Sequence, residues 1–163
     1  MGLGYLRGNV TVIPQDPSVF QGTLKYNVDP FGERTDQEIV DALVKSQVWD
    51  TFTVETLAKK DALDTKPESD AEAPTPEESD DSKLQNLRLN LAIEAGGHNL
   101  SVGQKQLICV ARAFVRKPKI LLMDEATANI DEKTDQAVQA LIKTEFLDTT
   151  VITIAHRYLF YFF

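Results

Sequence analysis

Two adjacent carboxylates, Asp124 and Glu125, follow directly on four apolar residues, Ile120 to Met123. Such a run reads as a strand buried on both faces, as in a parallel sheet. In open α/β sheets, ligands collect beyond the carboxyl ends of the strands. Successive strand side chains point to opposite faces, so the two acids can divide the work. One can hold a hard cation such as Mg²⁺ and the other can act as a base on water. A solvated strand end explains one acid more readily than two. A second feature is the stretch Leu100-Ser101-Val102-Gly103-Gln104. Ser101 is placed to cap a helix, and Gly103 leaves room for a ligand against the backbone. A helix N-terminus offers free N–H groups and a positive dipole end to an anion. Taken alone, these residues more often describe a capped helix that binds nothing. Gln15 and His156 complete the set, since each follows a short β-branched run, Val10–Ile13 and Thr150–Ile154.

The elements that must position these groups can be read from periodicity. Beyond Gln104, the residues Leu107, Ile108, Val110, Ala111, Phe114 and Val115 recur near every 3.6 positions, which predicts an amphipathic helix. Arg116 and Lys117 suit its last turn and Pro118 forbids its continuation. Pro14 stops the first strand and, with Pro17, bounds a loop around Gln15. Thr23 to Val28 predicts a short capped helix ended by Asp29-Pro30. Asp36 to Gln47 predicts a better one, capped by Thr35 or Asp36, with Trp49, Phe52 and Leu57 continuing helical spacing and Trp49 in the core. Gly96 and Gly97 allow a tight turn into Leu100–Gln104. After Glu125, the residues Ala126–Ile130 turn into a helix from Asp131, with Ala137, Val138, Leu141 and Ile142 inward. Thr150–Ile154 predicts another buried strand.

The 163 residues are enough for one domain with a real core. The net charge of −8 is concentrated. Asp61 to Lys83 holds nine acids against two lysines, with three prolines and no aromatic residue, and the remainder is nearly neutral. That segment cannot bury enough apolar surface to offset chain entropy, which predicts a disordered insert. No basic stripe appears elsewhere, which argues against a nucleic-acid surface. No apolar run approaches a membrane span, and the N-terminus lacks the pattern of a secretory leader. The single cysteine, Cys109, lies on the apolar face of the predicted helix and reads as a buried, inert thiol.

Together these stretches resemble a known family. Leu100–Gln104 resembles the signature sequence of ATP-binding cassette (ABC) ATPases, and Ile120–Glu125 resembles their Walker B strand and catalytic glutamate. Ala128-Asn129-Ile130-Asp131 is similar to the D-loop, Thr153–Arg157 to the switch-histidine segment, and Ile13–Pro17 to the Q-loop. The Val in Leu-Ser-Val-Gly-Gln, with Gln15–Leu24 and Asn27–Phe31, is most similar to the second nucleotide-binding domain of C-subfamily, multidrug-resistance-type transporters. The resemblance implies an α/β, partial P-loop NTPase (ABC ATPase) fold, with a mostly parallel sheet, an α-helical subdomain and the disordered acidic insert. It divides the chain into strand and Q-loop (1–22), helical subdomain (23–60), insert (61–83), a core of signature, Walker B, D-loop and switch histidine (84–157), and an atypical aromatic tail (158–163).

By the same resemblance, ATP and Mg²⁺ are the cofactors. Two nucleotide-binding domains pair head to tail, and Ser101 and Gly103, with Gln104 beside them, meet ATP held by the partner. Asp124 and Gln15 help hold Mg²⁺, Glu125 is the general base, His156 contacts the γ-phosphate, and Asp131 couples the two sites. The expected setting is the cytoplasmic face of a membrane, against the transmembrane domains of an ABC transporter that exports a solute. No Gly-Lys pair, as in Gly-x-x-x-x-Gly-Lys-Ser/Thr, occurs in the sequence. The chain is therefore expected to be a piece of such a domain or a mis-joined gene product, inactive by itself. The alternative is a non-catalytic module that completes a partner's ATP site. A non-transport ABC ATPase acting on nucleic acid is disfavoured by the transporter-like Gln15–Phe31 region.

Overall fold

The computed structural model describes residues 2–52, 80–126 and 129–154. Its spine is a helix that runs from Val102 to Arg116. The helix starts where the sequence says it should. Ser101 Oγ accepts the Gln104 backbone N–H, and the Gln104 side chain accepts the Ser101 N–H, a closed capping box. It ends on Lys117 in the left-handed conformation (φ 47°), one residue before Pro118. The expected amphipathic helix is instead buried nearly all round. Gln106, Cys109 and Ala113 are as enclosed as Leu107, Ile108 and Val110. The reason is that the helix lies between two layers, a sheet on one side and helices on the other.

In chain order, α1 (Leu3–Asn9) leads into β1 (Val10–Ile13), and β2 (Gly22–Thr23) into α2 (Leu24–Val28). Then come α3 (Asp36–Lys45), a 3₁₀ turn at Trp49–Thr51, α4 (Asp80–Leu89), β3 (Ala92–Ile93) and a 3₁₀ turn at Ala95–Gly97. The spine helix is α5, followed by β4 (Ile120–Asp124), α6 (Glu132–Glu145) and β5 (Thr150–Ile154). The main sheet is parallel, in the order β1-β4-β5, with Val10, Ile120 and Thr150 in one row and Ile13, Met123 and Thr153 in another. A two-stranded antiparallel ribbon joins β2 to β3.

Local chemistry sets the helix ends. Thr23 caps α2 through the Tyr26 N–H, and Thr35, rather than Asp36, caps α3 in a second capping box with Glu38. Helix α3 stops at Lys45, short of the expected Gln47, which takes a left-handed φ of 63°. Trp49 is half-buried against the core under the Arg88 guanidinium, 4.9 Å from its ring centre, while Phe52 is buried. Helices α2 and α3 pack on α5. At the far end of α5, Phe114 stacks on Phe146, 5.4 Å between ring centres, which brings in the buried side of α6 at Val138 and Ile142. Cys109 is buried as expected, and burial pushes its thiol up.

Three expectations are corrected. Strand β4 is not buried on both faces: Leu121 and Met123 are enclosed, but Ile120 is exposed and Leu122 only half-buried. Strand β5 is exposed along its whole length, because α5 packs chiefly on β1, at the opposite edge of the sheet. The segment expected to be disordered does not extend to Lys83, since Asp80–Lys83 already belong to α4. Acids in a first turn are favoured by the helix dipole, so a composition that argues for disorder also suits a helix start. Residues 61–79 of the insert, Leu57 and the tail lie outside the described residues, as does His156.

Candidate active-site edge and signature helix

The carboxyl ends of β1 and β4 lie side by side, because the two strands pair in register from Val10–Ile120 to Ile13–Met123. Two residues beyond Ile13, Gln15 turns its carboxamide toward the end of β4, and Nε2–H donates to the Glu125 carboxylate at 2.8 Å. Asp124, half-buried, is the last residue of β4, and Glu125 follows it. The Glu125 N–H donates to the Ile154 carbonyl at 3.0 Å, which carries the β4–β5 ladder one residue past the strand. Gln15, Asp124 and Glu125 therefore share one edge of the sheet, with the carboxyl end of β5 beside them.

Glu125 also has an unusual backbone. Its φ is +44°, a region that side chains other than glycine rarely adopt. The other two such residues among those described, Gln47 and Lys117, each follow the end of a helix, where this conformation is ordinary. Glu125 ends a strand. Its left-handed turn costs about 1–2 kcal/mol, and residues held in such conformations cluster at functional sites. No pattern in the sequence announced it.

The second group sits at the start of α5. Ser101 is exposed and Gly103 and Gln104 are half-buried. The cap uses only a lone pair of the Ser101 hydroxyl, which leaves its proton able to donate elsewhere. Gln104 Nε2–H also donates to Thr51 Oγ1 at 3.3 Å, linking the helix start to the 3₁₀ turn. At Gly103 the close neighbour within the chain is the Asn129 carbonyl oxygen, 3.2 Å from where a Cβ would stand. Gly97 (φ +64°) is tighter still, since a Cβ there would lie 2.4 Å from Val19 Cγ2. Asp131 is exposed and caps α6 by accepting the Thr134 N–H at 3.1 Å. Hydrogen bonds from Thr134, first its side chain and then its backbone, hold the Asp131 carboxyl below the usual range.

Two polar residues that sequence reasoning passed over tie α5 to the segments around it, and the first of them links the two groups. Gln106 is fully buried on α5. Its Nε2–H donates to the Gln15 carbonyl at 3.4 Å and its Oε1 accepts the Asn129 N–H at 3.2 Å. Two turns on, Arg112 donates to the Ser18 carbonyl at 2.7 Å and to both the carbonyl and side-chain oxygens of Asn27, with its guanidinium 5.3 Å from the Phe20 ring centre. Burial pulls this guanidinium below its ordinary value, although it remains charged. The available signal was polar residues at positions facing the core of an otherwise apolar helix.

The donor set suits a magnesium site of the sparse kind. Mg²⁺ is commonly held by one or two carboxylates with phosphate oxygens completing the shell. Among the described residues no cluster of three or more His, Cys, Asp or Glu could make an all-protein site. Asp124 offers a carboxylate. Gln15, having turned Nε2 toward Glu125, keeps its hard amide oxygen for a cation. The edge thus fits the group.

A family model described as "ABC transporter" matches residues 3–128. The chain belongs to the ABC transporter family. The relatives agree: the oligomycin resistance ATP-dependent permease YOR1 of Saccharomyces cerevisiae is 42 % identical over 157 residues, 96 % of this chain and 10 % of that protein. ATP-binding cassette sub-family C member 3 of Rattus norvegicus is 41 % identical over 157 residues, 96 % of this chain and 8 % of that protein. Among solved structures, a bacterial Atm1-family ABC exporter with ATP bound superposes with a TM-score of 0.70 at 26 % identity, covering 94 % of this chain and 22 % of that one. The chain therefore spans about a tenth of the length of these curated relatives, and its α/β architecture is that of an ABC exporter. No helix among the described residues is long and apolar enough to cross a membrane.

Proposed function

We propose that this segment works inside a complete ABC exporter, at the cytoplasmic face of the membrane, as part of the ATP-driven engine. The observation that carries the reading is the Gln15–Glu125 hydrogen bond beside Asp124, at the carboxyl edge of a parallel sheet. Glu125 is the general base: its carboxylate takes the proton of the attacking water, and Gln15 orients that carboxylate. Asp124 and the Gln15 amide oxygen hold Mg²⁺, which when bound withdraws charge from the phosphate oxygens. His156, past the end of β5, contacts the γ-phosphate.

The start of α5 serves a second ATP. Ser101 donates its hydroxyl proton, and Gly103 lets the backbone approach the γ-phosphate held by a second nucleotide-binding domain paired head to tail. Gln104 keeps the cap closed, and Asp131 couples the two sites. Transmembrane domains receive the resulting motion through the Gln15 loop. These 163 residues alone lack a Gly-Lys phosphate cradle, so the isolated chain binds ATP poorly and does not turn it over. A second reading is favoured by one feature, the cap at Ser101, which is complete without the strand-edge cluster. On that reading the chain only completes a partner's ATP site.

The test uses the full-length transporter that carries this segment. Asp124→Asn raises the Mg²⁺ concentration needed for turnover, and Glu125→Gln keeps Mg²⁺–ATP binding but stops ATP-driven export into inside-out vesicles. Mg²⁺-dependent turnover by the isolated chain, or export that survives Glu125→Gln, contradicts the first reading.

A further inference from the structure

A fully buried carboxamide is costly in a helix core unless both its donor and its acceptor are used. If packing were the only demand, leucine or methionine would fill the Gln106 position of α5. Gln106 instead spends its amide on two loops. It donates to the backbone carbonyl of Gln15 and accepts the backbone N–H of Asn129, and it is inaccessible to solvent. One turn earlier on the same helix, Gly103 abuts the Asn129 carbonyl, so the turn after β4 is held from two places. Further along, Cys109 and Arg112 hold Ser18, downstream in the loop after β1. Arg112 also reaches Asn27 in α2, so this pair ties α5 to that loop and to α2, and neither of its members touches the turn after β4 in these bonds. Gln106 joins the loop that carries Gln15 to the turn that leads into Asp131.

We infer that Gln106 is a positioning residue: its buried carboxamide fixes the Gln15 backbone against the Asn129–Asp131 turn, so the hydrolytic edge and the turn that caps α6 move together. The inference rests on the proposed roles of Gln15 and Glu125. Without the tie, the Gln15 carbonyl and the Asn129 N–H lose a buried partner, and Gln15 no longer presents its amide to Glu125 in a fixed direction.

The test again uses the full-length transporter. Gln106→Met keeps the length of the side chain and removes both hydrogen bonds. Gln106→Leu also removes both hydrogen bonds, with a shorter, branched apolar side chain. Binding of trinitrophenyl-ATP reports the fold of each variant independently of turnover. Both variants are expected to bind the probe within about twofold of wild type and to keep KM for ATP. Their kcat falls about tenfold, the scale of one lost buried hydrogen bond. In a Gln15→Ala background the same substitutions cost less than about threefold, because the group they position is gone.

Wild-type kcat in either folded variant overturns the inference, as do losses that simply multiply with Gln15→Ala. Loss of probe binding in both variants assigns Gln106 to packing alone and overturns it too. If only Gln106→Met fails to bind the probe, Gln106→Leu carries the comparison. Glu125→Gln, measured in parallel, separates the two claims. Retained turnover there removes the proposed function, whereas lost turnover there with wild-type kcat in the Gln106 variants removes only this inference.

Discussion

Ser101 is asked to do two things with one hydroxyl, and the structure separates them. As a cap, Oγ accepts the Gln104 N–H at 3.1 Å, which needs a lone pair. As a ligand to phosphate, it must donate its proton. Ser101→Ala removes both. Ser101→Asp keeps the acceptor and adds a negative charge at a helix N-terminus, which the dipole favours, but it has no proton to give at neutral pH. For Ser101→Ala, the lost cap is worth about 1 kcal/mol. With a urea slope of about 1–3 kcal/mol per molar, the unfolding midpoint falls by roughly 0.3–1 M. Trp49 is the sole tryptophan and packs against the core under Arg88, so its fluorescence reports the transition. For Ser101→Asp, the midpoint stays at or above that of wild type. ATP turnover by the full-length transporter should fall in both variants by about ten- to hundredfold, the value of about 1.5–3 kcal/mol for a hydrogen bond to a charged group. Turnover restored by Ser101→Asp along with stability refutes the donor role. An unchanged urea midpoint in Ser101→Ala refutes the cap.

Other consequences follow from individual contacts. Gly97→Ala forces a left-handed residue with a Cβ into Val19 Cγ2, so it should destabilise the chain by about 2–4 kcal/mol, read as a shift in the urea midpoint. Cys109, buried with its thiol pushed up by desolvation, should react with a disulfide reagent only at the rate of opening, and at full speed once urea unfolds the chain. The depressed Asp131 carboxyl stabilises the fold above the ordinary carboxylate range and loses that contribution as pH falls through its lowered value. The thermal midpoint of wild type should therefore drop relative to Asp131→Asn on acidification, since asparagine caps the helix at any pH.

What the sequence made legible was local chemistry. Ser101, Thr23, Thr35 and Asp131 cap helices because the group each needs lies three residues away. A mostly parallel sheet was expected from the family resemblance, and β4 does pair in parallel with β1 on one side and β5 on the other. What escaped depends on partners distant in the chain. The open second face of β4 and the exposure of β5 follow from which elements cover the sheet, and hydropathy does not encode that. Averaging acids over Asp61–Lys83 hid a helix that begins at Asp80. The same holds within the site. Gln15 and Glu125 were each singled out from their strand ends, but their mutual hydrogen bond, the left-handed turn at Glu125 and the buried amide of Gln106 appear only when segments far apart in sequence meet.

The central claim is that Glu125, oriented by Gln15, is the base of an ATP-hydrolysing site. The most direct measurement is Mg²⁺-dependent phosphate release by the full-length transporter carrying Glu125→Gln, with ATP binding followed in the same sample. The account predicts that ATP stays bound and phosphate release ceases. Phosphate released at the wild-type rate would contradict it.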